Sequence, residues 1–420
     1  MANASKTARV ADQEFAYQAH GSRDGYPDGN CLQRFHRWIK LDPLNAKPEH
    51  GRWSNADLEP VPPEMQTWTS HHFITYWLCD AVAPGNLRLG SSLMTLGFSM
   101  RTTIGIIFLG HFLISLAITA NAVIGAKYHI PYTIQSRSSF GFYFSFVVSM
   151  LGNYGTMAVN INDFSRYAKS TKMILGQILV IPLSFMLMSF MGVIIAGAAS
   201  DLYGEKIWDP LTIMSHWNGS SGARAAAAFV SLSFVLAQLG SNISANCVSA
   251  ANDLNAMFPT YINLRRGSFL IAFIGAWALT PWKILSSASA LLNFMDGYII
   301  WLAPITGVLL ADYYVVHRQT YDVEEMYIPG GKYQYNKYGT NWRAVTAWLA
   351  GSVPLMGGFA AAMNSSLSVS TGAIHLYKLG YLYGFFSSFV LYSALSFAFP
   401  PKPTFAYSSE GEESAVSSKT

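Results

Sequence analysis

Residues 153–170 read NYGTMAVNINDFSRYAKS, and the organisation of the whole chain follows from them. The first half ends an apolar run that begins near residue 140, and the second half is a polar loop with Asp163, Arg166 and Lys169. Basic residues directly after an apolar run mark the cytoplasmic side of a membrane. The stretch therefore predicts a membrane-spanning segment that ends in the cytoplasm.

The composition of the chain is typical of an all-α polytopic membrane protein. Of its 420 residues, 51% are hydrophobic and 12% are charged, whereas charged residues make up about 25% of a soluble domain. The net charge of +4 does not indicate a nucleic-acid partner. We expect a loosely ordered cytoplasmic tail at 1–70, a transmembrane domain at 71–400, and a disordered cytoplasmic tail at 401–420.

Nine apolar runs are long enough to cross about 30 Å of hydrocarbon as helices. They lie near 73–98, 103–125, 140–160, 174–199, 225–250, 268–285, 288–312, 344–363 and 374–398. The lipid bilayer is therefore an expected partner of the chain.

The first run is irregular, because Asp80, Pro84, Gly85 and Arg88 interrupt it. Freed backbone groups at membrane depth are tolerated only inside protein or beside a cavity. A broken helix is therefore predicted, and broken helices carry the binding site in many secondary transporters. Alternatively, Asp80 and Arg88 lie on one helix face and simply pair with each other.

The charges of the loops give a topology with one inconsistency. Basic residues follow the second, third, fifth and seventh runs, so these loops are predicted to be cytoplasmic. The acidic loop 200–223 and the uncharged loop 364–373 are predicted to be external. The run 140–160 would then join two cytoplasmic loops. It is re-entrant, or one flank violates the charge rule, or an odd number of crossings is missing near 144–151.

The fifth run ends in a polar segment, AQLGSNISANCVSAAND at 237–253. Asn242 and Asn246 are four residues apart, so both carboxamides project from one helix face. A carboxamide donates and accepts hydrogen bonds and can pair with the amide edge of a heterocycle. Alternatively, these residues hold neighbouring helices together. Asp296 and Asp312 are further intramembrane candidates, and Asp312 is expected to anchor the membrane interface.

Several classes of function lack their motifs. The sequence contains no GxxxxGK[ST] phosphate loop and no HExxH metal motif. The adjacent His71 and His72 are expected to form an interfacial pair, and Cys31, Cys79 and Cys247 are far apart. Neither an enzyme nor a bound cofactor or metal is predicted.

Eight strings along the chain resemble the fungal branch of the purine/cytosine, uracil, thiamine and allantoin permeases, the nucleobase–cation symporters. They are NADLEPVP at 55–62, GSSLMTLG at 90–97, GAKYHIP at 125–131, RSSFG at 137–141, NINDFSRYAK at 160–169, NISAN at 242–246, LADYY at 310–314 and LYGFFSSFV at 382–390.

The resemblance implies an inverted-repeat, five-plus-five transporter fold with about twelve helices, of which about nine hydrophobic spans are present here. It implies that Asn246 binds the substrate, with Asn242 as a weaker candidate and Tyr154 near an aromatic position of the sixth helix. Asp80 lies in the broken first helix and is a further candidate for the substrate site.

A second implied site lies between the first and eighth helices, where sodium-coupled relatives hold their cation. The matching positions are Ala237, Gly240 and Ser241. Gly240 offers no hydroxyl, and fungal members are generally taken as proton symporters. The co-transported cation is therefore expected to be H⁺.

The chain departs from the family pattern after residue 146 and rejoins it near residue 151. The missing part would contain three crossings, the odd number that the loop charges require, and a substrate-stacking tryptophan. No tryptophan lies between Trp77 and Trp208. We expect a fuller version of the transcript with about 100 or more additional residues at this point.

The prediction is a plasma-membrane permease with a cytoplasmic N-terminus. It would import a nucleobase-like heterocycle such as uracil, allantoin, a nucleoside or thiamine by alternating access. The alternative is a truncated, non-transporting membrane protein or isoform of such a permease. A pore is less favoured, since no charged ring or filter-like repeat is visible.

Overall fold

The computed structural model describes residues 40–41, 48–95, 97–152, 157–204, 207, 209–277, 297–364 and 366–400. These residues form helices joined by turns, with one isolated bridge between Trp68 and Ala168. The helices that begin the chain are α1 Ser70–Ala81, α2 Pro84–Thr95, α3 Met100–Tyr128, α4 Tyr132–Phe140, α5 Phe144–Gly152, α6 Met157–Asn160, α7 Asn162–Ser165, α8 Gln177–Tyr203 and α9 Pro210–Ser215.

The remaining helices follow the acidic loop. They are α10 Ser221–Ser241, α11 Val248–Met257, α12 Leu264–Trp277, α13 Gly297–Val316, α14 Trp342–Ser352, α15 Met356–Met363, α16 Thr371–Lys378 and α17 Gly380–Ala398. A π-helical turn, Asn242–Cys247, joins α10 to α11.

Six helical segments are long and apolar enough to cross a membrane. They are Met100–Tyr128, Thr171–Tyr203, Ser221–Met257, Gly297–Val316, Trp342–Met363 and Gly380–Ala398. They coincide with the second, fourth, fifth, seventh, eighth and ninth predicted runs. The sixth predicted run is described only as far as Trp277. Asp296 lies outside the described residues.

The first predicted run is a broken helix, as expected. Helix α1 ends at Ala81 and α2 begins at Pro84, which has no backbone N–H to continue the ladder. The amide of Asn86 instead donates to the carbonyls of Asp80 and Ala81, at 3.2 and 2.9 Å. The break therefore keeps its carbonyl groups satisfied.

The run 140–160 is not one continuous helix among the described residues. Helix α4 ends at Phe140, α5 begins at Phe144, and after the undescribed residues 153–156 come the short helices α6 and α7. These lie against α3: the Asn121 amide donates to the carbonyls of Ala158 and Val159, at 2.9 and 2.8 Å. The NINDFSRY motif is thus held inside the bundle.

The expectation of a loosely ordered tail over 1–70 is wrong for residues 48–69. His50 is buried between Glu59 and Glu324, with its Nδ1 at 2.7 Å and its Nε2 at 3.2 Å from carboxylate oxygens. The Asn55 amide donates to Asn255 at 2.6 Å, and Leu58 is fully buried. This segment lies across several helix ends, because it buries apolar side chains and satisfies polar groups there.

Helices α2 and α8 are in close contact. Helix α8 crosses α2 so closely that a Cβ on Gly192 would overlap the carbonyl of Leu87.

At the end of α13, Asp312 is fully buried, so the prediction that it anchors the membrane interface is wrong. Its carboxylate accepts hydrogen bonds from the hydroxyls of Ser138, Ser139, Tyr321 and Tyr392.

Candidate functional site

The break between α1 and α2 lies against the end of α10. The Ser241 hydroxyl donates to the carbonyl of Cys79, at 3.4 Å. A Cβ on Gly240 would lie 3.2 Å from Cys79 Sγ, so a glycine permits this approach. The structure thus brings Gly240 and Ser241 next to the residue that precedes Asp80. Ala237 lies one turn earlier on α10 and is half-buried.

Asp80 does not pair with Arg88, so the alternative of a simple pair on one face is wrong. Arg88 Nε lies 2.7 Å from Oδ1 of Asp209, in the acidic loop that precedes α9. The helix break separates Asp80 from Arg88 and reorients the second half of the helix. No basic group lies within 4 Å of the half-buried Asp80 carboxylate in the part of the chain that the structure describes.

Asn242 and Asn246 lie together on the π-helical turn. The Asn246 amide donates to Oδ1 of Asn242 at 2.8 Å, and both side chains are exposed. Isolated π-helical turns occur frequently at functional sites. No hydrogen bond joins either carboxamide to another described helix, so helix–helix attachment does not explain them. The pair retains an acceptor on Asn246 and donors on Asn242.

Tyr154, the aromatic residue expected near the substrate, lies outside the described residues. Trp77 on α1 is buried and donates from its Nε1 to Gln177 at 2.7 Å, so its ring belongs to the α1–α8 contact. Asn242 and Asn246 are both exposed, so the side of the segment Ser221–Met257 that carries them is open among the described residues.

The sequence did not indicate a buried polar cluster that joins residues 160–166 to the end of α11. It contains Asp163 and Asp253, each 1% exposed. Burial raises the pKa of Asp163 to about 7, although the Arg166 charge and the hydrogen bond from the backbone N–H of Tyr132 lower it. The general rule that flags intramembrane carboxylates would have identified Asp253, which ends the polar segment 237–253.

A family model described as permease for cytosine/purines, uracil, thiamine, allantoin matches residues 60–152 and 145–384. The two matched ranges overlap at residues 145–152. An uncharacterised permease of Schizosaccharomyces pombe is 30% identical, and the alignment covers 88% of each chain over 496 positions. That alignment is longer than this chain of 420 residues.

Two further relatives come from Saccharomyces cerevisiae. The uridine permease is 37% identical over 61% of this chain and 40% of its own length. The allantoin permease is 37% identical over 64% of this chain and 44% of its own length. The chain thus spans less than half the length of these two relatives.

Two solved structures of Mhp1 are similar to the described fold. The inward-facing conformation has a TM-score of 0.62 at 16% identity and covers 89% of this chain and 97% of that one. The closed conformation with bromovinylhydantoin bound, described as a nucleobase-cation-symport-1 family transporter, has a TM-score of 0.59 at 17% identity. The similarity shows that the chain has the inverted-repeat transporter fold, with part of the expected spans.

Proposed function

Because the chain belongs to the family of permeases for cytosine and purines, uracil, thiamine and allantoin, we propose that it is a proton-coupled importer of a nucleobase-like heterocycle. The family consists of transporters and not of enzymes. The chain is a multi-pass membrane protein with several apolar helices, and we place it in the plasma membrane of a fungus with its N-terminus in the cytoplasm.

The observation that carries this proposal is the pair Asn242 and Asn246 on a π-helical turn in a membrane-spanning segment. Its free donors and acceptor match the ring N–H and C=O groups of compounds such as uracil and allantoin. The uridine, allantoin and thiamine transporters among the relatives support a substrate of this type.

The cation would bind beside the helix break. Ala237, Gly240 and Ser241 lie on α10 next to the end of α1, and Asp80 is at that end. A proton is favoured over sodium because Gly240 contributes no oxygen ligand from a side chain, whereas a carboxylate such as Asp80 can bind a proton directly. Alternating access would follow from movement of one repeat relative to the other.

A second candidate function is a non-transporting form of the permease. Such a form would account for the exposed side of the segment that carries the asparagines and for the two separate family-model matches, 60–152 and 145–384. A complete site would then require helices that this chain does not contain. Sequencing the transcript across the codons for 144–151 tests whether this chain is a truncated isoform, since a single transcript without a longer version would contradict that origin.

Uptake of labelled uracil, allantoin, uridine and thiamine in a permease-deficient yeast tests the proposed function. We expect one of these compounds to accumulate and a protonophore to abolish the accumulation. A fluorescently tagged chain must reach the plasma membrane in the same cells. Absence of uptake of every compound by a correctly localised chain would overturn the importer proposal and favour the non-transporting form.

A further inference from the structure

Two buried carboxylates lie on different helices and have too few hydrogen-bond donors. Asp163 is on α7 and Asp253 is on α11, and both are 1% exposed. Oδ1 of Asp163 accepts from the backbone N–H of Tyr132 at 3.1 Å. Oδ2 of Asp163 and both oxygens of Asp253 have no partner among the described residues. A buried ionised carboxylate without donors is very unfavourable.

Two neutral oxygens lie on the same faces and are also unpartnered. Ser249 precedes Asp253 by one helical turn, and Asn160 precedes Asp163 by about one turn. Ser249 Oγ and Asn160 Oδ1 are buried and make no hydrogen bond in the described structure. Both helix faces therefore present unpartnered oxygen atoms at buried positions beside the carboxylates.

The two faces are close to each other. Arg166, three residues after Asp163, donates to Oδ1 of Asn252 at 3.3 Å, which joins the end of α7 to α11 directly. The charges of Asp163 and Asp253 interact across this contact. The cluster of Arg166, Asp163 and Asp253 would therefore carry an excess negative charge if both carboxylates were ionised.

The basic residues that the structure describes on the neighbouring elements make other contacts or are exposed. Arg166 also donates to the Asp57 carbonyl and the Tyr167 hydroxyl. Arg137 on α4 donates to the carbonyls of Met326 and Trp53. The basic pair at the start of α12, residues 265 and 266, is exposed, and α5 contains no charged residue. The hydroxyl of the buried Tyr132 is already used, since it donates to the Val148 carbonyl.

We propose that Asp253 and Asp163 form a proton-binding site, in which one proton is held on the Asp253 carboxyl. An O–H bond on Asp253 removes the excess charge that a second ionised carboxylate would bring. Loss of the proton would leave two buried, ionised carboxylates on α11 and α7, and their repulsion would act to separate these helices. The burial that raises the pKa of Asp163 to about 7 is consistent with a pair that changes charge near neutral pH.

The position of the pair links it to transport, and this part of the inference rests on the proposed function. Asp253 lies seven residues after Asn246 on the same helical segment, about 10 Å along the axis. Asp163 belongs to the segment that follows the apolar run 140–160. A charge change between the two segments can therefore alter the cytoplasmic side of the site that holds the substrate amides.

Infrared difference spectroscopy on the purified full chain in lipid nanodiscs tests proton binding directly. We expect a carboxylic-acid C=O band in the wild type that disappears as the pH rises through neutrality. The band should be lost or shifted in Asp253→Asn and shifted in Asp163→Asn. Asp201→Asn, which alters an exposed carboxylate at the end of α8, should leave it unchanged.

The proposal is overturned if the wild type has no such band, or if neither variant changes it. Displacement of the band by Na⁺ at constant pH would identify a sodium site and would also overturn it. Should a variant fail to fold, the wild-type titration with and without Na⁺ still decides the question. A titrating band in a chain that transports none of the tested compounds would support proton binding while rejecting the proposed function.

Discussion

The hydroxyl of Tyr392 donates a 2.6 Å hydrogen bond to Oδ1 of Asp312, and both residues are buried. This bond joins α17 to α13, two helices that are far apart in the sequence. Tyr392 also accepts from the Asn341 amide at 3.2 Å. The Tyr392 hydroxyl therefore connects α17 to Asp312 on α13 and to Asn341 in the loop before α14.

Replacement of Tyr392 by phenylalanine should destabilise the protein by about 1.5–3 kcal/mol, the usual contribution of a hydrogen bond to a charged group. Tyr383→Phe is the matched control on the same helix, since its hydroxyl donates to the neutral Ala350 carbonyl at 3.3 Å. The thermal unfolding midpoints of the purified variants measure the difference. Equal midpoints for the two variants would show that the hydrogen bond to Asp312 stabilises the protein no more than one to a neutral carbonyl.

The crossing of α2 and α8 predicts opposite effects for two glycines of one helix. Gly192→Ala should destabilise by about 1–3 kcal/mol, because its methyl group would overlap the Leu87 carbonyl. Gly197→Ala should stabilise by about 0.4–1 kcal/mol, since no atom lies within 4 Å of its Cβ position. Thermal midpoints compare them, and a tolerated Gly192→Ala would contradict the close crossing.

The raised pKa of Asp163 predicts a pH-dependent stability. The pKa of this carboxyl is about 3.9 in the unfolded chain, whereas it is about 7 in the folded protein. A raised folded-state pKa gives a stabilisation that is present at acidic pH and is lost as the pH rises through about 7. We expect a loss on the order of a few kcal/mol between these limits.

Asp163→Asn should make the thermal midpoint less dependent on pH across this range, because the amide does not titrate. Asp201→Asn is the exposed control and should retain the wild-type dependence. A wild-type midpoint that rises between pH 4 and 7 would contradict the sign of this prediction.

Substitution of the amide pair should affect uptake more than stability. In the form that transports, Asn246→Ala should lower uptake by about fivefold or more, since losing a buried polar contact to substrate costs about 1–3 kcal/mol. Asn364→Ala, in an exposed loop between α15 and α16, is the control. Measuring uptake against surface expression separates the effects, and equal uptake by both variants would remove Asn246 from the site.

The sequence predicted the features that depend on neighbouring residues. The helix break at Pro84 follows from a missing N–H, and the shared face of Asn242 and Asn246 follows from helical spacing. It did not predict the partner of Arg88, because Asp209 lies in a different loop. Nor did it predict that residues 48–69 would be packed, since their polar composition is also typical of a tail.

By itself, the sequence determined the family, the apolar runs and the broken first helix, because hydropathy and the lack of a proline N–H are local properties. Only the tertiary structure decided which charged groups meet. It buried Asp312 among hydroxyls, and it buried Asp163 and Asp253 with too few hydrogen-bond donors. The energies of these groups depend on burial and on distances through space, which spacing along the chain does not define.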